Sequence, residues 1–266
     1  MSLAAKRLTS KRGRSAMIAQ PDSTARVAWN ELAELEVRGA DAATLRLRRG
    51  GEVALAVDGG KARLPRIDAP DMGKVEWSAG GEPLMTSYIE VVPRHYFDLP
   101  ELSAYGDGQD DFDALPEDAL RSARQAATEV FERNANRSFV RRLGRTKDYG
   151  NARLVALWHG DVEELLTPGY RLVSGCQCVC DGCGEPYPRW VEYVYGTGDV
   201  PAQVSRAVLE LAAYMLRPTN RPVGATGESS DAGYIHFTVA GRDGATDIPE
   251  VNAAIEQFGR AVCPVW

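Results

Sequence analysis

Apolar and polar residues alternate along residues 30–97, and this period-2 pattern predicts short β-strands with one buried face. Leu35 and Val37 alternate with polar neighbours, as do Leu45 and Leu47. Glycine pairs separate the runs and can supply the positive φ of tight hairpins; they are Gly50-Gly51, Gly59-Gly60 and Gly80-Gly81. The pattern predicts an antiparallel β module over residues 28–97, arranged as a sandwich or barrel.

Three later segments have the apolar spacing of amphipathic helices. Pro116 suits the first position of one helix, where its missing N–H is not needed. Asp199 is a good N-cap for the second. Asp247, with Glu250 three residues later, has the form of a capping box for the third. The predicted helices span residues 116–135, 199–216 and 248–259.

These elements predict an α+β chain in which the β module precedes a helical core with a small β-sheet and a helix–strand–helix C-terminal part. Strands are predicted within 150–195 and over 234–239, with a loop over 219–233. The first two helices are expected to pack against the 150–195 sheet. The predicted divisions are a flexible basic arm at 1–27, the β module at 28–97, an acidic linker at 98–115, a core at 116–262 and a tail at 263–266.

Composition narrows the function classes. The 266 residues are 44% hydrophobic and 26% charged, with a formal net charge of -6 and a pI near 5.3. With this net negative charge, the chain is not expected to belong to the proteins that bind nucleic acid through a strongly positive overall charge. No apolar run approaches the roughly 20 residues that span a bilayer, so no membrane association is expected. The basic N-terminal arm lacks the continuous apolar segment of a secretory signal.

Catalytic signals are weak. The three histidines, His95, His159 and His236, are far apart in sequence and lie in no metal-binding or triad motif. Phosphate-loop, nucleophile-elbow and dinucleotide-binding signatures are absent. The acidic run 107–113 lacks the Gly and Glu placements of a calcium loop. We expect no enzyme activity, and we assign no catalytic or cofactor-binding residues.

A cysteine cluster is the sharpest chemical signal. The stretch from Cys180 to Gly184 has the C-x-x-C-G form of a zinc knuckle, and strand alternation puts Cys176 and Cys178 on the same face as Cys180. Four thiolates could close a tetrahedral zinc site, but all four lie within eight residues, which strains that geometry. Free thiols and disulfides therefore stay open as alternatives. The candidate ligands are Cys176, Cys178, Cys180 and Cys183.

Four segments, in this order, resemble the head-to-tail adaptor (connector) proteins of long-tailed bacteriophages, in the version found in phages of actinobacteria. They are EVVPRHYFDLPEL, LRSARQAATEVFERNANRSFVRR, DVPAQVSRAVLELAAYML and TDIPEVNAAIEQFGR. The resemblance covers roughly Ile89 to Arg260. One departure is Asn134-Ala135-Asn136, where related chains often carry a Cys-Gly pair. The cysteine cluster is not part of the pattern, so no role carries over to it.

The resemblance implies a virion structural protein that forms a ring of identical subunits, with twelve as the expected number. The ring would lie under the portal protein, extend the DNA channel and meet a stopper or tail-completion protein. DNA would pass through the lumen without sequence-specific binding. The protein would reside in the virion neck at the portal vertex, and in the host cytoplasm during assembly.

We expect the C-terminal helix and tail to contact partners, so that a chain lacking residues 249–266 folds but does not assemble. The candidate contacts are Ile248, Val251, Ile255, Phe258 and Trp266. One alternative is a stopper or tail-terminator subunit of the neck. An alternative of another class is a zinc-stabilised module that binds nucleic acid or protein through the cysteine hairpin.

Overall fold

Strands dominate the first part of the chain. The computed structural model describes residues 17–18, 24–29, 31, 33–105, 112–150, 153–181, 187–217, 227–230, 233–236 and 245–260. The first nine strands are β1 (Met17–Ile18), β2 (Thr24–Ala28), β3 (Glu34–Glu36), β4 (Ala42–Leu47), β5 (Gly51–Leu55), β6 (Val57–Asp58), β7 (Lys61–Arg63), β8 (Asp71–Ala79) and β9 (Glu82–Val92).

These strands form two sheets that enclose one apolar core, which we call the sandwich core. One sheet has the order β2-β9-β8-β4-β5 and the other β1-β3-β7-β6. Leu35 and Ala62 from the smaller sheet pack with Leu45, Val75 and Trp77 from the larger. The predicted α+β class with an N-terminal β module is therefore confirmed. The β1–β3 and β2–β9 pairs are parallel, whereas the sequence predicted only antiparallel pairing.

Part of the predicted flexible arm belongs to this sandwich. Strand β1 pairs with β3, and β2 pairs with β9 along its whole length. Val27 is buried, and Arg26 is ion-paired to Glu90 on β9. The prediction of an arm over 1–27 is thus wrong for residues 17–18 and 24–27, because a short apolar and charged pattern was too weak to predict a strand. Residues 1–16 and 19–23 lie outside the described residues.

Glycine pairs form the predicted hairpin turns. Gly59 and Gly60 join β6 to β7 with φ of 56° and 82°, and Gly80 and Gly81 join β8 to β9 with φ of 58° and 86°. Two consecutive left-handed residues match the twist of the strands they connect. At Gly50-Gly51 only Gly51 has a positive φ, at 78°.

The predicted acidic linker contains two helical turns. Helix α1 (Leu99–Ser103) and a 3₁₀ turn (Phe112–Ala114) bury Leu102 and Phe112 in the same core as the later helices. The backbone N–H of Asp98 donates to Glu101 Oε2 at 2.7 Å, which stabilises the start of α1. Asp98 and Glu101, two of the acidic residues that indicated a linker, thus lie at the start of a helix, and Leu102 and Phe112 are core residues rather than parts of a linker.

The three predicted helices are present as α2 (Glu117–Ala135), α3 (Ala202–Leu216) and α4 (Pro249–Phe258). Their apolar faces meet with α1 in a second core, the helical core, which contains the fully buried Phe131, Val204 and Val251. None of the helices in the described ranges is both long and apolar enough to cross a membrane.

All three predicted helix starts lie too early in the chain, and at α2 Pro116 is the N-cap rather than the first helical residue. Helix α3 begins at Ala202 with Pro201 as its N-cap, because a residue that precedes proline is disfavoured in helical conformation and Val200 occupies that position. Asp199 therefore lies outside the helix. At α4 the N-cap is Ile248, whose N–H donates to Thr246 Oγ1 at 3.2 Å.

Asp247 does not form the predicted capping box. Thr246 and Asn252 bond each other instead, because the Thr246 N–H donates to Asn252 Oδ1 at 2.8 Å and Asn252 Nδ2 donates to the Thr246 carbonyl at 2.9 Å. Asp247 accepts a hydrogen bond from the Tyr214 hydroxyl at 3.2 Å, which ties the entry of α4 to the end of α3.

Six further strands form two small sheets with a third core. They are β10 (Arg142–Asp148), β11 (Leu154–Ala156), β12 (Val162–Leu165), β13 (Tyr170–Ser174), β14 (Gln177–Cys180) and β15 (Arg189–Tyr195). The sheet orders are β10-β15-β12 and β11-β14-β13. Val191, Tyr193 and Tyr195 share the buried face of β15. Among the described residues, this small-sheet core forms a cluster separate from the helical core, so the helix pair does not share an apolar core with this sheet as expected.

A final hairpin pairs β16 (Gly227–Ser230) with β17 (Gly233–His236). The predicted strand over 234–239 is thus present for residues 234–236, and residues 237–239 lie outside the described residues. Strand β16 lies within the predicted loop 219–233, where a Gly- and Ser-rich composition obscured it.

Candidate functional site at the junction of the three cores

Three buried charges, Arg26, Glu90 and Glu132, and the partly buried Arg142 link the three cores. Arg26 on β2 donates to Glu90 on β9, with Nε at 2.8 Å from Oε2. Arg142 on β10 donates to both carboxylate oxygens of Glu90, at 2.5 and 3.0 Å, and its Nη1 also donates to Glu132 on α2. We call Arg26, Glu90, Glu132 and Arg142 the junction network.

Glu90 and Arg142 stay charged. Burial would by itself raise the pKa of Glu90, but Arg26 and Arg142 lower that pKa to about 2. For Arg142, burial opposes the charge, whereas Glu90 and Glu132 raise its pKa. Buried charges are tolerated when each is paired and hydrogen-bonded, and removal of one partner is costly. The network therefore holds the sandwich, helical and small-sheet cores in one arrangement.

Two hydroxyl groups extend the network into the helical core. Tyr96 Oη donates to Glu132 Oε1 at 2.8 Å, and Ser138 Oγ donates to the same oxygen at 2.7 Å. The Phe139 N–H in turn donates to Tyr96 Oη at 3.0 Å. Glu132 thus closes the turn that leads from α2 to β10, and burial together with this carboxylate raises the pKa of Tyr96.

A cavity of about 500 Å³ opens beside the junction network. His159 lies on its wall, stacked on Tyr195 at 3.9 Å between ring centroids and bonded through Nδ1 to Tyr193 Oη at 2.9 Å. Burial, and then the positive charge of Arg142, lower the pKa of His159 to about 4. Trp158 also lines the cavity and is 79% exposed.

A second set of ion pairs joins the ends of the helices to the small sheets. Asp161 accepts from Arg137 Nε at 2.9 Å and from Arg260 Nη1 at 2.5 Å. The Arg260 backbone N–H donates to the carbonyl of Ala135, the last residue of α2, at 2.8 Å. Arg137 Nη1 donates to the Phe258 carbonyl at 3.2 Å. The ends of α2 and α4 are thus tied to one carboxylate between β11 and β12.

The cysteine cluster is divided between two chemical states. Cys176 and Cys180 are disulfide-bonded, so neither sulfur is available as a thiolate ligand. Cys178 is a free thiol, fully buried in the small-sheet core, where burial and then Asp148 raise its pKa to about 11. Cys183 lies outside the described residues, among which no cluster of three metal-binding side chains occurs. The disulfide alternative therefore replaces the four-thiolate zinc site for Cys176 and Cys180.

The predicted partner contacts on α4 face inward. Ile248, Val251 and Ile255 are buried in the helical core, and Phe258 packs against it beside Phe139. These side chains hold α4 to its own subunit, so removal of residues 249–266 would open the core, contrary to the expected folded truncation. Trp266 lies outside the described residues.

Sequence reasoning missed the junction network. Its four residues come from four segments, and no local spacing connects them. The only available signal was an excess of charge at otherwise apolar positions, such as Glu90 between Ile89 and Val91 on β9.

Comparisons with known proteins find little. No family model matches the chain, and no curated protein is significantly similar to it. Among solved structures, one similar chain belongs to the "Neck of empty GTA particle computed with C6 symmetry". It is 17% identical, with a TM-score of 0.37, over 49% of this chain and 82% of that chain. At this level the likeness carries no argument about function.

Proposed function

We propose that this chain is a virion structural protein, a head-to-tail adaptor that forms a ring under the portal protein. The ring extends the DNA channel and connects the capsid to the tail. The proposal is made for long-tailed phages in general.

One observation carries the proposal: the four segments that resemble adaptor proteins build a single core. Residues 90–102, 120–142, 199–216 and 246–260 contribute every buried residue of the helical core except Phe112. They also contribute Glu90, Glu132 and Arg142 of the junction network. Chance matches spread along a chain would not be expected to pack together, whereas the segments of a shared fold must do so.

The role is structural rather than catalytic. The most strongly perturbed acidic group at the junction, Glu90, is held by two arginines, which is the arrangement of a structural ion-pair network. A rigid subunit with three linked cores suits a ring, because a ring closes only if every copy repeats the same rotation. The proposed partners are the portal protein, further copies of this chain and a stopper or tail-completion protein.

The test is mass measurement by light scattering on the purified chain, alone and mixed with portal rings from the same genome. We expect the chain to join the portal as a ring, with twelve copies per portal. Binding only to a preformed adaptor–portal complex would indicate a stopper or tail-terminator subunit instead. Failure to join either complex, combined with binding of nucleic acid, would overturn the proposal.

A folding control shows whether the helical core is needed. Val251→Asp places a carboxylate at a fully buried position of α4 and is expected to disrupt the core. This variant should not join the portal. If it joined as well as the natural chain, the portal contact would not depend on the core that carries the proposal.

A further inference from the structure

The outward face of the β10–β15 sheet carries cations stacked on aromatic rings. Arg145 and Lys147 lie on β10, Tyr149 follows β10, and Trp190 lies on β15 opposite Lys147. The Arg145 guanidinium lies 4.1 Å from the centre of the Trp190 ring, and Lys147 Nζ lies 5.3 Å from that of Tyr149. We call these four residues the cation–aromatic face.

Neither Arg145 nor Lys147 forms an ion pair with a carboxylate in the described part of the chain. Arg48 extends the positive charge, and its pKa is lowered by burial and then by the neighbouring Arg145. Glu192 lies opposite Arg145 in the sheet but is not ion-paired to it. In contrast, the cations of the junction network are matched by carboxylates.

The aromatic rings of the face are available to a partner. Trp190 is 44% exposed and Tyr149 is 61% exposed. Exposed tryptophan and tyrosine beside arginine are typical of the residues that dominate protein–protein binding energy. A flat sheet face with unmatched cations and exposed rings therefore suits a protein partner that presents carboxylates.

This same chain presents such carboxylates on the outward side of α4. Glu250, Ala253 and Glu256 are exposed and lie at three-residue intervals, so they share one side of the helix. Neither glutamate is ion-paired to a described residue. Val251, Ala254 and Ile255 face the helical core, so the acidic side is the one that α4 leaves uncovered.

We propose that the cation–aromatic face of one subunit binds the outward side of α4 of a second copy of this chain. The two surfaces are different and complementary in charge. A contact between different surfaces of identical subunits is head-to-tail, which is the kind that generates rings. This inference rests on the proposed ring and names the surfaces that form it.

The test is charge reversal on each side, followed by reversal of both. Arg145→Glu with Lys147→Glu should raise the subunit concentration needed for half-maximal ring formation on the portal by on the order of tenfold or more, because like charges then oppose. Glu250→Lys with Glu256→Lys should do the same. The chain that carries all four substitutions should recover assembly, since opposite charges again meet. Normal assembly of either double variant would overturn the inference.

A matched control separates surface charge from total charge. Arg38→Glu with Arg66→Glu changes the net charge equally, at exposed positions of the sandwich, and should assemble normally. Thermal unfolding checks that each variant is folded. If natural chain and variants all fail to join portal rings, the proposed function itself fails. If the natural chain assembles and the Arg145/Lys147 variant loses only binding to oligodeoxythymidine, the face binds nucleic acid and the inference is wrong.

Discussion

The sandwich and the small-sheet region are both built from short strands, yet different forces hold them. The sandwich core is almost wholly apolar, with Leu45, Val75 and Trp77 buried between two sheets. The small-sheet core is lined by Tyr193 and Tyr195 and contains the bonds of Tyr193 to Thr146 and His159. Burial of apolar area is non-directional, whereas a polar interior requires matched partners. We therefore expect the stability of the sandwich to depend on the volume of its buried side chains. The stability of the small sheets should depend on specific hydrogen bonds.

The largest effect is expected from a cavity in the sandwich. Trp77→Ala removes a buried ring whose Nε1 donates to Ser87 Oγ at 3.0 Å. We expect it to lower the free energy of unfolding by about 3–5 kcal/mol. Trp190→Ala on the exposed face of the small sheet is the matched control and should cost less than about 1 kcal/mol. Urea unfolding of both variants measures the difference, and equal losses would contradict the comparison.

Reduction of the disulfide-bonded Cys176 and Cys180 should affect the small sheets selectively. Cys176 directly precedes β14 and Cys180 is its last residue, and loss of a native disulfide typically costs about 2–4 kcal/mol. Hydrogen exchange before and after dithiothreitol should show faster exchange in β11, β13 and β14, with the amides of β8 and β9 still protected. A zinc chelator should leave the exchange unchanged, and loss of protection on chelation would restore the zinc-site alternative.

Cutting the link between the two regions should have an intermediate effect. Glu90→Gln leaves Arg26 and Arg142 without their shared carboxylate, and we expect the free energy of unfolding to fall by about 3 kcal/mol, because removal of one partner leaves buried charge unpaired. The exposed pair of Glu34 with Arg63 provides the control, and Glu34→Gln should cost about 0–1 kcal/mol. Separate unfolding transitions for the sandwich and the small sheets in the Glu90→Gln variant would show that the junction network couples these regions. Equal stability of the Glu90→Gln and Glu34→Gln variants would show that it does not.

The smallest effect concerns pH and the small-sheet interior. His159 has a native pKa of about 4 against an ordinary value of 6.5, so between these values the unfolded chain binds more protons than the native one. Stability is therefore lost as the pH falls from about 6.5 towards 4. His159→Gln should remove about 1–2 kcal/mol of that loss, measured as the difference in unfolding free energy between neutral and mildly acidic buffer. An unchanged pH dependence would mean that burial and Arg142 do not lower the pKa of His159 in the folded protein.

Much of the fold could be predicted where a few adjacent residues allow only one local conformation. The glycine pairs at 59–60 and 80–81 predicted their hairpins, because few other residues accept two consecutive left-handed conformations. The apolar spacing of residues 120–135 and 204–216 predicted the buried faces of α2 and α3. In both cases the signal lies within a few adjacent residues.

The rest could not be predicted, because the deciding contacts are distant in sequence or compete with a local signal. Asp247 had the form of a capping residue, but Thr246 and Asn252 formed a closer pair of bonds. In the sequence, Leu102 is an apolar residue within an acidic stretch, and only the tertiary structure shows that it is buried in the helical core. The junction network draws on four separate segments, so only the tertiary structure brings its charges together.

The two arginine side chains bonded to Asp161 determine how the end of the described chain responds to a pulling force. Arg137, beyond the end of α2, and Arg260, beyond the end of α4, both bond to its carboxylate, and Arg260 also bonds to the backbone of Ala135. Tension applied to the chain at Arg260 would load these bonds in parallel rather than one after another. Bonds loaded in parallel share the force, so α4 should resist being peeled from its subunit. The C-terminal end of the described chain is thus suited to bear a pulling load.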